Sequence, residues 1–379
     1  MKITIVQGAF LPVPMKRGGA VEKVWFALGQ EFARLGYDVL HISRLCDGLP
    51  AEETIGGVKH RRVRGYDAPK SLMRLKWRDY LYSRRVAAML PKSDIVVTNT
   101  FWTPMLLKPE RHGRIWVHVQ RYPRGQMKFY RRAARLQTVS GVIARAMLEQ
   151  TPDLKPRVLV IPNPLPPVAP TAQPVVKDPN LVLFVGRIHP EKGIALLIEA
   201  MIALRQQRPK AKLRVVGPWE ERLGGAGVDY LMELRTQAQP LGDAIDFVGP
   251  VFDEAILSGH FEEAAVFVYP SLAAKGEASP VAPLEALAHG LPVVVSDLEC
   301  FDDYLPKNES YAYRFNHAAV SAPARLAGVL DNIMTQRDSW PAIAAAARAR
   351  AAEFSMEKVA RQYLDAFHSV LPSPAAQRS

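Results

Sequence analysis

Two open α/β domains, each a doubly wound sheet, are what this sequence predicts, on three observations. Its 379 residues exceed what one ordinary core holds, and 48% of them are apolar, enough for two cores. A strand–glycine loop–helix–strand pattern occurs twice, opening at Lys2 and again at Leu181. Between the two lies IPNPLPPVAPTAQPVVKDP, where Pro162 through Pro179 can hold neither a helix nor a central strand and read as a stiff linker. The predicted organisation is a first domain over residues 1–165, a second over 166–354, a terminal helix over 355–371 and a frayed tail over 372–379.

In the first domain, Lys2 to Gln7 is a short apolar strand, followed by the loop GAFLPVPMKRGGA. No G-x-G-x-x-G fingerprint is present; instead Gly18 and Gly19 open a helix expected over Val21 to Leu35, with Val24, Leu28, Phe32 and Leu35 at helical spacing. Paired glycines make a simple turn, or let backbone approach a ligand at a helix N-terminus. Further strands are expected at Tyr37 to Ile42, Val58 to Val63, Ile95 to Thr98, Arg114 to Val119, Leu136 to Ser140 and Val158 to Ile161. His118 falls at the carboxyl end of its strand, where open α/β sheets bind ligands. The stretch Lys70 to Leu90 can form a helix carrying Arg74, Lys76, Arg78, Arg84 and Arg85 beside Leu72, Met73, Trp77 and Tyr80. It is either a core helix with a solvated charged face or a membrane-surface helix.

The second domain opens with LVLFVGRIHPEKG. Leu181 to Val185 is continuously apolar, as a parallel strand buried on both faces should be. Arg187 and Lys192 sit on the glycine-bounded loop before a helix from Ile194; two cations so placed suit a diphosphate. Strands follow at Leu213 to Val216, Asp246 to Gly249, Val266 to Tyr269 and Val293 to Val295. Before the last lies KGEASPVAPLEALAHGLPVVVSD, with Ser279 as cap, Pro280 in the first helical position, and Gly290 and Pro292 closing a helix expected over Pro280 to His289. Glu277 precedes that helix and Glu285 lies about a turn inside it, flanking the amides of Ser279, Val281 and Ala282 at its positive end. Two carboxylates around an anion site suit a ligand with a central diphosphate and hydroxyls on both sides, which describes a nucleotide sugar.

Charge divides the chain. Residues 1–165 hold 29 Lys+Arg against 12 Asp+Glu, a balance of +17, leaving −5 for the remainder of a chain whose net charge is +12. One domain is therefore expected to face something anionic. No nucleic-acid module is present, so specific nucleic-acid binding is not expected. MKITIVQ lacks the features of a signal peptide and no run spans a bilayer, so a cytoplasmic protein, at most peripheral at the inner membrane face, is expected. Cys46 and Cys300 support no disulfide or metal framework and read as reduced, buried thiols.

Four of these segments resemble one family. EASPVAPLEALAHGLPVVVSD is similar to the E-x7-E segment of retaining, family 4 type GT-B glycosyltransferases, the glycosyl transferases group 1. GRIHPEKG resembles their G-R-x4-K-G motif, Gly18-Gly19 their glycine loop, and RIWVHV their strand with a donor-contacting histidine. One departure is IPNP, where Pro164 replaces the usual glycine of I-P-N-G. The resemblance implies a GT-B fold, two Rossmann-like domains facing across a cleft, with the terminal helix crossing back to the first. It implies a hexosyltransferase moving sugar, with retention, from a nucleotide diphosphate sugar to the hydroxyl of an acceptor glycan or glycolipid. It places Glu277, His118, Arg187 and Lys192 in catalysis, and Gly18, Gly19, Arg187, Lys192, Ser279, Pro280, Val281 and Glu285 at the donor. No D-x-D pair is present, so no metal and no cofactor are expected. The basic, aromatic first half adds an anionic membrane surface and a lipid-linked acceptor of surface-polysaccharide biosynthesis as the expected setting. The alternatives are a sugar-nucleotide 2-epimerase on the same fold and a transferase with a soluble acceptor.

Overall fold

The structure is a computed structural model that describes residues 1–14, 19–171, 174–275 and 277–372. The tail from 373, the linker residues 172–173 and the predicted donor glycine Gly18 lie outside the described residues. The chain divides into two units, Met1–Pro164 with the chain from Met356 onward, and Leu165–Ser355.

The first unit is built on eight strands: β1 (Lys2–Val6), β2 (Asp38–Leu45), β3 (Glu52–Ile55), β4 (Val58–Arg64), β5 (Ile95–Thr98), β6 (Arg114–Val119), β7 (Arg135–Thr138) and β8 (Val158–Val160). They lie in the order β3-β4-β2-β1-β5-β6-β7-β8, all parallel except the β3/β4 hairpin. The order reverses at β1, which pairs with β2 on one side and β5 on the other, so ligand-binding loops are expected at the carboxyl ends of these strands. On one face the Ala20–Arg34 helix buries Trp25, Leu28 and Phe32 at 3- and 4-residue spacing. The Met356–His368 helix packs into the same core, with Val359, Ala360, Tyr363, Leu364 and Phe367 buried. Its aromatic rings interlock edge-on with the sheet layer: Phe367 lies 4.7 Å from Trp116 and Tyr363 5.1 Å from Trp25. The Leu72–Met89 helix buries only a narrow stripe, Asp79, Tyr82, Ser83 and Val86, and leaves Leu72, Met73 and Trp77 exposed.

The second unit has six strands: β9 (Leu181–Val185), β10 (Lys212–Val216), β11 (Ile245–Gly249), β12 (Val266–Tyr269), β13 (Val293–Ser296) and β14 (Ala312–Phe315). All are parallel, in the order β11-β10-β9-β12-β13-β14, which is the dinucleotide-binding order with its reversal at β9. The loops after β9 and β12, on adjacent strands, carry the predicted phosphate and carboxylate motifs.

Three details depart from the sequence expectations. The helix after Glu277 spans Ala282–Ala288 rather than beginning at Pro280, because its Pro283 takes an early position where a missing N–H costs nothing. An unanticipated helix, Glu254–Glu263, starts at Asp253, whose carboxylate accepts from the amides of Ala255 (2.8 Å) and Ile256 (3.1 Å). Both cysteines are free; Cys300 is buried as expected, but Cys46 is only half-buried.

Candidate functional site

In the second unit the chain leaves β9 through Gly186 and reaches Lys192 just before Gly193. Gly193 has φ +70, and a Cβ there would come within 2.0 Å of the Pro270 carbonyl oxygen. Only glycine fits, and the close approach ties the loop after β9 to the one after β12. Lys192 Nζ is ion-paired with Glu277 Oε1, the two side chains being 5% and 7% exposed. The same oxygen accepts from Ser271 Oγ at 2.9 Å and from the Tyr269 hydroxyl at 3.2 Å. A buried ion pair persists when its remaining lone pairs are satisfied, and here three donors share one carboxylate oxygen. Burial, then the adjacent Glu277 charge, raises the Tyr269 pKa well above its ordinary value, so its hydroxyl stays a donor. The same two causes push the Cys300 thiol up to about 12.

Arg187 joins the cluster through Glu191. Its guanidinium donates to Glu191 Oε1 at 3.0 Å and to the Gly224 carbonyl at 2.7 Å, and Glu191 Oε1 lies 3.6 Å from Lys192 Nζ. Two cations are thus balanced by two carboxylates at the carboxyl ends of adjacent strands. Ser279, Pro280 and Val281 form the half-buried approach to the Ala282–Ala288 helix, pinned where the Tyr304 hydroxyl donates to the Pro280 carbonyl at 3.2 Å. Glu285 lies in that helix's first turn.

The first unit holds a cavity of about 460 Å³ at the carboxyl ends of β5 and β6, lined by Gly19, Glu22, Thr100, Phe101, His118 and Tyr130 among others. Gly19 has φ +116, and a Cβ on it would lie 2.5 Å from Glu22 Oε2, so the glycine lets that carboxylate fold back against the loop. Burial raises the Glu22 pKa, opposed by its own backbone amide and the Arg121 charge. His118 Nδ1 is 2.6 Å from Gln137 Oε1 and Nε2 is 2.8 Å from Gln120 Oε1. Gln137 Nε2 donates to the carbonyls of Thr138 (2.7 Å) and Ile161 (2.9 Å), which turns its oxygen toward the ring as an acceptor. Burial lowers the His118 pKa, against the raising effect of its contacts with the Gln137 and Gln120 amide oxygens, and favours the neutral imidazole.

The structure brings Lys192, Glu277 and Arg187 into one linked cluster, and sets Gly19 and His118 around one cavity. It adds residues that sequence reasoning did not single out: Tyr269, Ser271 and Glu191 in the second unit, Glu22, Gln120 and Gln137 in the first. Glu191 has a legible signal, four residues after Arg187 inside the same loop. Among the described residues no group of three or more His, Cys, Asp or Glu could hold a metal ion.

Residues 169–350 match the family model described as glycosyl transferases group 1, a stretch that contains Arg187, Lys192, Glu277 and Glu285. Over 165 residues the chain is 31% identical to a phosphatidyl-myo-inositol mannosyltransferase of Mycolicibacterium smegmatis, covering 43% of this chain and 39% of that one. The chain thus spans about two fifths of that relative's length (39%). Sucrose-phosphate synthase from Thermosynechococcus elongatus superposes with a TM-score of 0.75 at 20% identity, covering 97% of this chain and 98% of the other. The Anabaena protein Alr3699/HepE in complex with UDP superposes with a TM-score of 0.69 at 17% identity, over 97% and 100% of the two chains. At these identities the superpositions establish the fold, which is GT-B.

Proposed function

We propose, from the premise that this chain belongs through residues 169–350 to the glycosyl transferases group 1, that it moves a hexosyl group from a nucleoside diphosphate sugar to an acceptor hydroxyl with retention. The observation that carries this reading is the shared oxygen of Glu277, which gathers Lys192, Ser271 and Tyr269 beside the Arg187 guanidinium. As the bond between the anomeric carbon and the phosphate oxygen breaks, negative charge grows on the diphosphate. Arg187 and Lys192 are fixed in advance to meet it, which is how electrostatic stabilisation avoids reorganisation. Glu277 Oε1 is already engaged by three donors, so this carboxylate is a poor nucleophile and is assigned to the donor sugar's hydroxyls. The acceptor oxygen then bonds to the anomeric carbon on the face the phosphate leaves, and its proton passes to the departing phosphate oxygen. Glu285 is assigned to the ribose hydroxyls, Gly18, Gly19 and the Ser279–Val281 stretch to the donor phosphates and sugar, and the His118 imidazole to a sugar hydroxyl. A neighbour of this fold in complex with UDP supports a nucleoside diphosphate donor. With charge supplied by Arg187 and Lys192, the reaction needs no metal, and a chelator is expected to leave it unchanged. The test is a panel of nucleotide sugars with mass detection. Slow release of free sugar and nucleoside diphosphate from one donor upholds the reading, epimerised donor would establish the isomerase, and no turnover of any donor would refute both.

The acceptor reading rests on the first unit. Trp77 stacks on Tyr80 at 5.7 Å, Tyr80 meets Trp102 at 5.3 Å, Trp102 meets Phe101 at 5.1 Å, and Phe101 meets Phe129 at 6.2 Å. This ladder runs from the exposed Leu72–Met89 helix, where Met73 is 82% and Trp77 60% exposed, to the cavity that Phe101 lines. Lys76 and Lys128 lie over Phe101 and Phe129, each 5.2 Å from the ring centre. Aromatics with cations above them, next to a cavity, suit an anionic bilayer presenting a lipid-linked acceptor. No helix among the described residues is long and apolar enough to cross a membrane; the attachment proposed on the aromatic and cationic ladder is to the surface, at the cytoplasmic face. Arg85 is committed to the Arg64 carbonyl and the Tyr66 hydroxyl, whereas Arg74 and Arg84 make no ion pair among the described residues. Vesicle co-sedimentation should therefore be salt-sensitive, specific to anionic lipid, and weakened when Arg74, Lys76 and Arg84 become Gln, each cation contributing about 1 kcal/mol. Equal sedimentation with neutral and anionic vesicles would refute the membrane reading and leave the transferase untouched.

A further inference from the structure

At the amino ends of β6 and β7, the opposite edge of the first unit's sheet from the His118 cavity, lies a second concavity of about 310 Å³. Its wall carries four guanidiniums, Arg114, Arg132, Arg135 and Arg157, and the Ser369 residue that follows the terminal helix, with no carboxylate among the lining residues. Arginine stays charged at any physiological pH, so four such groups around one small space repel one another. The partial negative charge at the carboxyl end of the Met356–His368 helix and the backbone carbonyls of the lining offset that repulsion only in part.

The arginines are not equivalent. Arg157 is fixed by donating to the carbonyls of Arg131 and, at 3.3 Å, Ala133; Arg135 donates to the Ala134 carbonyl at 3.3 Å. These two are held in place by neutral acceptors and keep their full charge. Arg114 and Arg132 have neither an ion-pair nor a hydrogen-bond partner among the described side chains, although Arg131 next door is neutralised by Asp153. Two anchored and two uncommitted guanidiniums facing one concavity match the tetrahedral oxygens of a phosphate group, which several forked donors can share.

We propose that this concavity is a binding site for a phosphate group, separate from the donor loop of the second unit. The phosphate is either that of a lipid headgroup or a soluble phosphate anion. The inference does not depend on the transferase reading, because it rests on other residues of another unit.

The test titrates the whole protein with inorganic phosphate by calorimetry, against sodium chloride of equal ionic strength. Wild type should bind phosphate and not chloride, and R114Q with R132Q should weaken that binding about tenfold or more, the scale of losing charge-assisted donors. Both arginines are exposed, so the pair of substitutions should leave the fold intact, checked by circular dichroism. Arg187→Ala, which alters the donor loop, should leave this phosphate binding in place. Vesicles of phosphatidic acid and of phosphatidylglycerol at equal charge separate the sources. A preference for the phosphomonoester that the double variant loses identifies a headgroup; phosphate binding in solution without that preference identifies a soluble anion. Equal phosphate binding by wild type and the double variant, or a response no larger than that to chloride, overturns the proposal.

Discussion

In the second domain four charged groups, Arg187, Glu191, Lys192 and Glu277, lean on one another across two loops; in the first, a cavity of about 460 Å³ is lined by His118, held by two neutral glutamines, with Glu22 and Arg121 further along its wall. Both lie at the carboxyl ends of strands flanking a reversal of strand order, so topology alone does not explain the contrast. The difference is electrostatic. The Lys192 and Glu277 charges are kept buried by being paired with each other, which offsets the cost of burying either alone. The first-domain cavity instead holds a buried histidine whose pKa is lowered, His118, and a carboxyl whose pKa burial raises, Glu22, with Arg121 as a cation in its lining.

The comparison breaks most visibly at Lys192. Lys192→Ala leaves Glu277 buried without its cation. It should cost about 3–5 kcal/mol of folding stability as well as turnover, and adding Glu277→Ala should restore much of the stability and none of the turnover. A wild-type denaturation midpoint for Lys192→Ala would show that the pair carries no such weight. Arg187 tests the same cluster without burial. Its side chain is 44% exposed, so Arg187→Ala should lower turnover by about 2–4 kcal/mol of transition-state stabilisation while stability moves by no more than about 0.5 kcal/mol.

Asp79 probes the first domain. Burial raises its pKa to about 6 from an ordinary 3.8, against the lowering effect of the Trp102 and Phe101 amides. A raised carboxyl binds its proton more tightly in the folded state, so its stabilising contribution is whole below pH 3.8 and is lost as pH rises through about 6. Asp79→Asn should therefore stabilise the protein by about 1–3 kcal/mol at pH 8 and change little at pH 4, read from urea denaturation at both values. A pH-independent effect would mean that the carboxyl is not held protonated by the fold. The smallest expected effect is at Tyr304, whose hydroxyl pins the Pro280 carbonyl. Tyr304→Phe should cost about 0.5–1.5 kcal/mol of stability and raise KM for the donor more than it lowers kcat, if the approach to the Ala282–Ala288 helix needs pinning.

The two domains also differ in how far the sequence discloses them. Arg187 and Lys192 are legible because Gly186 and Gly193 bound the loop that follows a strongly apolar strand, and Glu277 because its spacing to Glu285 precedes a helix closed by Gly290 and Pro292. That Tyr269 and Ser271 share an oxygen with Lys192 depends on the pairing of β12 with β9, where Phe267 opposes Leu183, and spacing along the chain does not encode it. In the first domain the cavity draws on residues from Leu11 to Tyr130, and Glu22, Gln120 and Gln137 are ordinary polar residues with no spacing to mark them. Only Gly19 and His118 announce themselves there. The four-residue strands β3 and β14 are too short for periodicity to register, while the Glu254–Glu263 helix is marked by the Asp253 cap alone. The proline-rich linker is less featureless than its composition implies, since the Leu165 amide donates to the Phe354 carbonyl at 2.7 Å.

The terminal helix imposes an order on synthesis. Tyr363 and Phe367 complete a core whose other aromatic members, Trp25, Phe32 and Trp116, are translated first. Residues 165–355 must leave the ribosome between them, which at roughly 5–20 residues per second takes about 10–40 s. Throughout that interval the nascent chain carries an apolar seam on its first domain, while the uninterrupted second domain is free to finish. Chaperone occupancy during translation should therefore centre on the earlier half of the chain and end only after Phe367 emerges.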